Sequence, residues 1–414
     1  MGIIRNIIGV ILILAIAYFA SWDRKEIKNR LVNIGVMFVL MFIVAFVSLR
    51  TTFGISLLKG ISNAFAWLNV QAQGGINFVF GGIMFEEGAS VFFFNVLLPI
   101  VFFSALIGIL DYLKILPFIM KWVGWAINKI TGVGELESQY SIMTTMIGQP
   151  TAYMTIKDQI LAMSGKRLFT FLMTSTSTVA ASTLAAYMEM IPGEYVVVAV
   201  FLNIFATFII SSFINPYDTE IENKHMEEKM NENKPIEIES ISEVEEEKEM
   251  KPNFISVISD YISNGWGLAI AVAATLVGFV AIITFLNNGL DALIGVTFTE
   301  IVGYIFSPIA FAIGVPSVDI VEVGSIMAQK LFTNEFVALA EVGNLTGVIS
   351  EKSLAMISVY CMSFANLGTL GIVTGGIKAI SEEKAEIVGG YLGKLLLGAT
   401  LSSLLVAAIV GMFF

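Results

Sequence analysis

The chain has 414 residues, 56% of them hydrophobic and 14% charged, with a mean hydropathy of +0.83. Soluble domains carry about 25% charged residues, so a string of soluble domains is excluded in favour of a membrane protein. The net charge of −11 is mostly local, since thirteen acids lie between Asp218 and Glu249, and it makes no case for nucleic-acid binding.

In chain order, eight apolar blocks approach the ~20 residues that span a ~30 Å hydrocarbon layer. They are 3–20, 31–49, 92–113, 168–190, 193–214, 264–286, 353–376 and 389–413. The first has no small-residue cleavage site and runs into Asp23-Arg24-Lys25, which reads as a retained span rather than a leader. Between the blocks lie apolar stretches too short or too interrupted to span: 53–70, 115–162 and 289–347. The tract 215–255, rich in Glu, Lys and Asn, has the composition of a solvated linker. The expected organisation is therefore scaffold spans with an interfacial helix (1–90), a first repeat with its hairpin (91–214), an acidic cytoplasmic linker (215–263) and a second repeat with its hairpin (264–414). Lysines and arginines near span ends set orientation. Arg24, Lys25, Lys28, Arg30, Lys166, Arg167, Lys378 and Lys384 fall on one side of an eight-span chain, which places that side in the cytoplasm and both termini outside.

The two halves match one another. Val123-Gly124-Trp125 aligns with Val302-Gly303-Tyr304, and Ser141-Ile142-Met143 with Ser325-Ile326-Met327. Ten residues beyond each serine stand Thr151 and Glu335, and Lys166 then pairs with Lys352. Each unit reads as span, interrupted segment, span, span. If the interrupted segment dips in and returns, each unit crosses three times and the second lies inverted. Paired broken segments in inverted repeats are the pattern of secondary transporters, whose site lies near the midplane. The predicted fold is thus all-α and membrane-embedded, with eight transmembrane helices, two re-entrant helical hairpins and an inverted repeat. The hairpin tips are expected at Gly148-Gln149-Pro150 and Thr333-Asn334-Glu335, lining a wet cavity.

Glu335 is the sharpest position, because a carboxylate at the bilayer centre costs ~3 kcal/mol or more unless paired or hydrated. It can accept several hydrogen bonds at once, which suits a diol. The competing reading is an ion pair with Lys330. Asn366 and Thr369, beside Gly368 and Gly371, bring an amide and a hydroxyl, and Phe364 offers a ring for stacking. Gln149, Thr151, Thr178, Ser182 and Thr183 are the first-half counterparts, with hydroxyl-mediated helix packing as the bland alternative. Cys361 is the only cysteine and His225, in the charged tract, the only histidine. With no HExxH, paired cysteines or phosphate loop, no catalytic set is present, and the chain reads as a transporter rather than an enzyme.

These features resemble the concentrative nucleoside transporters. The resemblance runs from about residue 90 to the C-terminus and rests on "FFSAL" (Phe102–Leu106), the Gly148-Gln149 tip, "TNEFVA" (Thr333–Ala338) and "SFANL" (Ser363–Leu367). It implies a homotrimer that imports nucleosides with a cation gradient. It also implies that Glu335, Asn366, Thr369 and Phe364 hold the ribose. The first half departs from the family pattern: where a Gln/Asn-Thr-Glu run holds the base, this chain has Gln149-Pro150-Thr151. The family's Na⁺ site would fall on the side chains of Thr144 and Thr178 and the carbonyls of Ile147 and Val179, with threonine at 144 where sodium-driven members have asparagine. Coupling to protons through Glu335 stays an alternative to Na⁺, and no other cofactor is implied. Alternative functions are a carrier for another ribosylated or polyol compound and a non-transporting receptor.

Overall fold

The computed structural model describes residues 2–83, 91–232 and 253–414, and every regular element among them is helical. The first half comprises α1 (Gly2–Phe19), α2 (Ile27–Arg50), α3 (Thr52–Phe80), α4 (Pro99–Tyr112), α5 (Ile115–Thr131), α6 (Glu135–Ile147), α7 (Gln149–Thr155), α8 (Lys157–Ala162), α9 (Gly165–Thr176), α10 (Leu184–Met188), α11 (Gly193–Ile214) and α12 (Thr219–Glu232). The second half comprises α13 (Phe254–Ile294), α14 (Phe298–Ala312), α15 (Ile320–Phe332), α16 (Glu335–Asn344), α17 (Glu351–Cys361), α18 (Leu367–Lys378), α19 (Glu382–Gly389) and α20 (Leu392–Gly411). Seven helical stretches among the described residues are long and apolar enough to cross a membrane. The protein is a multi-pass membrane protein.

Several boundaries differ from the sequence reading. The stretch 53–70 belongs to a single 29-residue helix, α3. Its apolar run was masked by Lys59, Asn63, Asn69, Gln71 and Gln73. The predicted spans 168–190 and 353–376 are each broken in the middle, at Ser177–Ala180 and Met362–Asn366. Helix α13 begins at Phe254 and runs 41 residues, so 254–263 and 289–294 are helix rather than linker or interruption. Ser256, Ser259, Asp260, Ser263 and Asn264 dilute the hydropathy of its first turns. The acidic tract opens as helix α12, started by Asp218, whose Oδ1 accepts from the Glu220 N–H at 2.8 Å. The rest of that tract, 233–252, lies outside the described residues.

The core is formed by the broken spans and the plain helix that closes each half. Arg167–Thr176 of α9 and Ser353–Cys361 of α17 are buried throughout, and α11 and α20 pack around them. By contrast, α13 buries only Gly265, Ala269 and Val272. An apolar helix so exposed is covered by lipid rather than water. The hydroxyls that dot α9 are largely satisfied within it: Thr174 donates to the Phe171 carbonyl (2.7 Å), Ser175 to Leu172 (2.9 Å) and Thr178 to Thr174 (3.2 Å). Most of these positions therefore serve packing.

The sequence-matched glycines are used alike in the two halves. A Cβ on Gly124 would lie 2.7 Å from the Gln139 side chain, and one on Gly303 2.7 Å from the Val321 carbonyl oxygen. In each half, glycine lets the helix before the broken pair (α5 or α14) press closely on its first member (α6 or α15). Each first member is also tied to the start of the buried span that follows. Glu137 of α6 pairs with Arg167 (2.9 Å) and accepts from the Tyr217 hydroxyl (2.7 Å), both charged side chains being about 1% exposed. Asp319, at the head of α15, accepts from the hydroxyls of Ser350 and Ser353 at 2.6 Å each.

Candidate functional site

Four helix breaks meet in the middle of the molecule. Between α6 and α7 the chain turns at Gly148, whose φ of +81° an L side chain rarely adopts. Between α15 and α16 it turns at Thr333-Asn334, where the Asn334 Oδ1 caps α16 by accepting from the Val337 N–H at 3.0 Å. Asn366 does the same for α18, accepting from the Thr369 N–H at 2.8 Å. The breaks in the two buried spans are joined across the repeat by the Phe364 N–H, which donates to the Thr178 carbonyl at 3.2 Å. Helix ends leave backbone groups unsatisfied, so their convergence creates polarity within an apolar body.

The breaks enclose a cavity of about 430 Å³ against one face of α13. Gln149, Thr183, Glu335, Phe364, Asn366 and Thr369 all line it, with Leu268, Thr275 and Phe279 of α13 as the opposing wall. Glu335 is 4% exposed and is the first residue of α16, where the N-terminal end of the helix dipole favours its charge. Its Oε1 accepts from the Tyr187 hydroxyl at 3.1 Å and its Oε2 from the Asn366 amide at 3.2 Å. The Thr369 hydroxyl donates to the Asn366 Oδ1 at 3.1 Å, which leaves its acceptor capacity free on a residue lining the cavity. Gln149 turns its amide nitrogen into the wall, donating to the Ser175 carbonyl at 2.5 Å, and Thr183 donates to the Ala180 carbonyl at 2.8 Å.

Lys330 does not pair with Glu335. Fully buried, its ammonium donates to the Tyr360 carbonyl (2.9 Å), Ser363 Oγ (2.6 Å) and Ser403 Oγ (3.2 Å), and sits 4.4 Å from the Tyr360 ring centre. It thereby pins the second-half break to α20 and leaves the Glu335 charge to the cavity. Thr151 departs from expectation: one residue past Pro150 on α7, it lines an adjoining chamber rather than the main cavity. Ile147 lines that chamber too, whereas Thr144, Thr178 and Val179 are buried in the wall behind the first break. The Thr144 hydroxyl donates to the Ser141 carbonyl at 3.0 Å. Sequence reasoning missed Tyr187. Its signal was its place one turn beyond Thr183 on α10, the half-helix leaving the Ser177–Ala180 break.

Comparison with known proteins gives this cavity a context. The profile of "Na+ dependent nucleoside transporter C-terminus" matches residues 195–411, its N-terminal counterpart residues 8–83, and one described as "Nucleoside recognition" residues 93–193. The purine nucleoside transport protein NupG of Bacillus subtilis is 34% identical over the full length of both chains. The chain belongs to the nucleoside transporter family. Nucleoside permease NupC of Helicobacter pylori is 28% identical over 99% of this chain and 97% of its own. Human solute carrier family 28 member 3 is 26% identical over 97% of this chain and 62% of its own. Among solved structures, CNTnw in an inward-facing substrate-bound state superposes with a TM-score of 0.86 at 28% identity, covering 100% of this chain and 98% of that one. A CNTnw variant in an outward-facing state gives 0.87 at 27% identity with the same coverage. The solved relatives thus include both an inward-facing and an outward-facing form of the same fold. The protein is a cation-coupled nucleoside importer that works by alternating access, not an enzyme.

Proposed function

We propose that the cavity binds a nucleoside with its ribose against Glu335, Asn366 and Thr369 and its base towards Gln149 and Thr183. One observation carries this reading. A carboxylate has about four acceptor sites, and Glu335 spends one on Tyr187 and one on Asn366. The acceptor capacity that remains belongs to a side chain lining the cavity, and it suits the adjacent hydroxyl donors of a ribose. Phe364 supplies an apolar surface on the same wall. The two broken pairs, α6–α8 and α15–α16, act as re-entrant hairpins. The spans are eight once the second broken buried helix, α17 to α18, joins the seven apolar stretches, both termini lie outside, and the assembly is a homotrimer, as expected for the family. The domain division follows the repeat, with the linker ending before Phe254, the first residue of α13.

For the coupling ion we propose Na⁺ held by the hydroxyls of Thr144 and Thr178 and the carbonyls of Ile147 and Val179. Among the described residues neither carbonyl accepts a backbone hydrogen bond between segments, and both hydroxyls donate inward, leaving lone pairs for a hard cation. The set is uncharged and needs water to complete it. Uptake of a panel of labelled nucleosides by cells lacking their own carriers, with Na⁺ replaced by choline at fixed pH, tests both points. Accumulation that vanishes in choline supports the sodium assignment. Accumulation that persists transfers coupling to protons through Glu335, and none for any nucleoside defeats the substrate reading.

A further inference from the structure

Beside the main cavity lies a second chamber of about 350 Å³. The two share Gly148, Pro150, Ala180, Leu268 and Ala271 as walls. Both are strung along one face of α13. Tyr261, Asn264, Leu268 and Ala271 line the side chamber, and Ala271, Thr275 and Phe279 continue along the main cavity. That spacing of three and four keeps all of them on one stripe of a helix. The partition between the chambers on the opposing side is small or rigid: a glycine, a proline and an alanine.

The side chamber carries the polar groups that the first half does not show to the main cavity. Thr151 and Ser182 line it, together with Asn264. Asn264 makes none of the side-chain hydrogen bonds found among the described residues, and Tyr261 is engaged with Asp111 at 3.2 Å. Asn264 is exposed, on the stripe of α13 that lines the chamber, and an amide on a membrane helix persists where it faces a wet or ligand-filled space rather than lipid. In the main cavity, Gln149 has already spent one of its two amide donors on the Ser175 carbonyl.

We propose that the side chamber receives the outer edge of a purine base and that Asn264 is the specificity-determining residue reading it. The proposal rests on the ribose lying at Glu335. From there a pyrimidine ends at the partition, whereas the fused second ring of a purine carries the distal edge past Pro150 and Ala180. That edge holds an adjacent donor and acceptor, the amino group and ring nitrogen of adenine or the carbonyl and ring N–H of guanine. A primary amide pairs with either by turning over, so Asn264 accepts both purines and has nothing to grip on a shorter base.

The test is competition for uptake into proteoliposomes by adenosine, guanosine and uridine, in the full chain and in Asn264→Leu and Asn264→Asp. Loss of the paired contacts lowers adenosine over uridine selectivity in Asn264→Leu by about tenfold, with uridine uptake kept as evidence of folding. Asn264→Asp, which only accepts, shifts preference from adenosine towards guanosine, whose edge offers donors. A purely structural asparagine would not produce that inversion. Selectivity ratios equal to the parent's in both variants, or an equal loss for all nucleosides (as for a residue lining only an exit path), overturn the proposal. A parent that takes uridine but not adenosine overturns it too and leaves the ribose reading standing, whereas a parent that takes no nucleoside ends both.

Discussion

Glu335→Gln changes one charge and almost no volume, so its consequences can be worked from the contacts. The carboxylate accepts from Tyr187 at 3.1 Å and Asn366 at 3.2 Å and lines the cavity with acceptor capacity left for the ligand. An amide at this position has a single, uncharged oxygen. It can hold Tyr187 and at most one ligand hydroxyl, and its nitrogen meets the Asn366 amide donor to donor. Hydrogen bonds from ribose hydroxyls to a charged acceptor are each worth about 1.5–3 kcal/mol, so losing one outright and the charge behind the other costs about 3 kcal/mol. At 1.4 kcal/mol per tenfold, Kd rises by about 100-fold or more. Stability should move little or rise, because the substitution also removes a buried charge whose desolvation opposes folding. Calorimetric titration of the purified protein with a nucleoside, alongside a thermal melt in the same detergent, reads both quantities. A variant that binds like the parent would refute the assignment of Glu335 to the ribose. One that fails to fold would show instead that the Tyr187 and Asn366 contacts are needed to build the cavity.

Three further outcomes are expected. Lys330→Met leaves the Tyr360 carbonyl without its donor and should cost about 1–3 kcal/mol, seen as a lowered melting temperature; an unchanged melt would show that the second-half break holds itself. Arg167→Met strands the Glu137 carboxylate in the interior and should cost about 3–5 kcal/mol. The double variant Arg167→Met/Glu137→Leu should recover most of that loss, and a double as unstable as the single would contradict the pairing seen here. Thr151→Glu projects a carboxylate into the side chamber and should alter base preference more than ribose dependence, measured as inhibition by nucleosides and their 3′-deoxy analogues; identical inhibition profiles would show that position 151 does not face the base.

Much of this architecture is legible in the chain because lipid imposes long apolar runs, and because the repeat leaves matched signals such as Val123-Gly124 and Val302-Gly303. Both glycines mark a close helix approach, which no side chain would permit. The polar residues of the second hairpin stood out for the same reason that they are costly: Glu335 and Asn366 interrupt apolar surroundings. What hydropathy could not reveal was a break within an apolar run. Ser177–Ala180 and Met362–Asn366 contain no proline or glycine, and it is tertiary contact, the Phe364 N–H on the Thr178 carbonyl and Lys330 on Tyr360 and Ser363, that satisfies the freed backbone. Tyr187 escaped notice because a tyrosine at a helix end is ordinarily an interfacial anchor. Its role appears only when the second half folds back to bring Glu335 within reach. Thr151 was matched to Glu335 by counting, but Pro150 and the short α7 turn its side chain into the neighbouring chamber.

Counterflow is the most direct trial of the account. Liposomes containing the purified protein and preloaded with unlabelled nucleoside should take up external labelled nucleoside transiently, above protein-free vesicles. A 3′-deoxynucleoside should compete far less well than its parent. Absence of exchange for every nucleoside, or equal competition by the 3′-deoxy analogue, would contradict a carrier whose site is built on the ribose hydroxyls meeting Glu335.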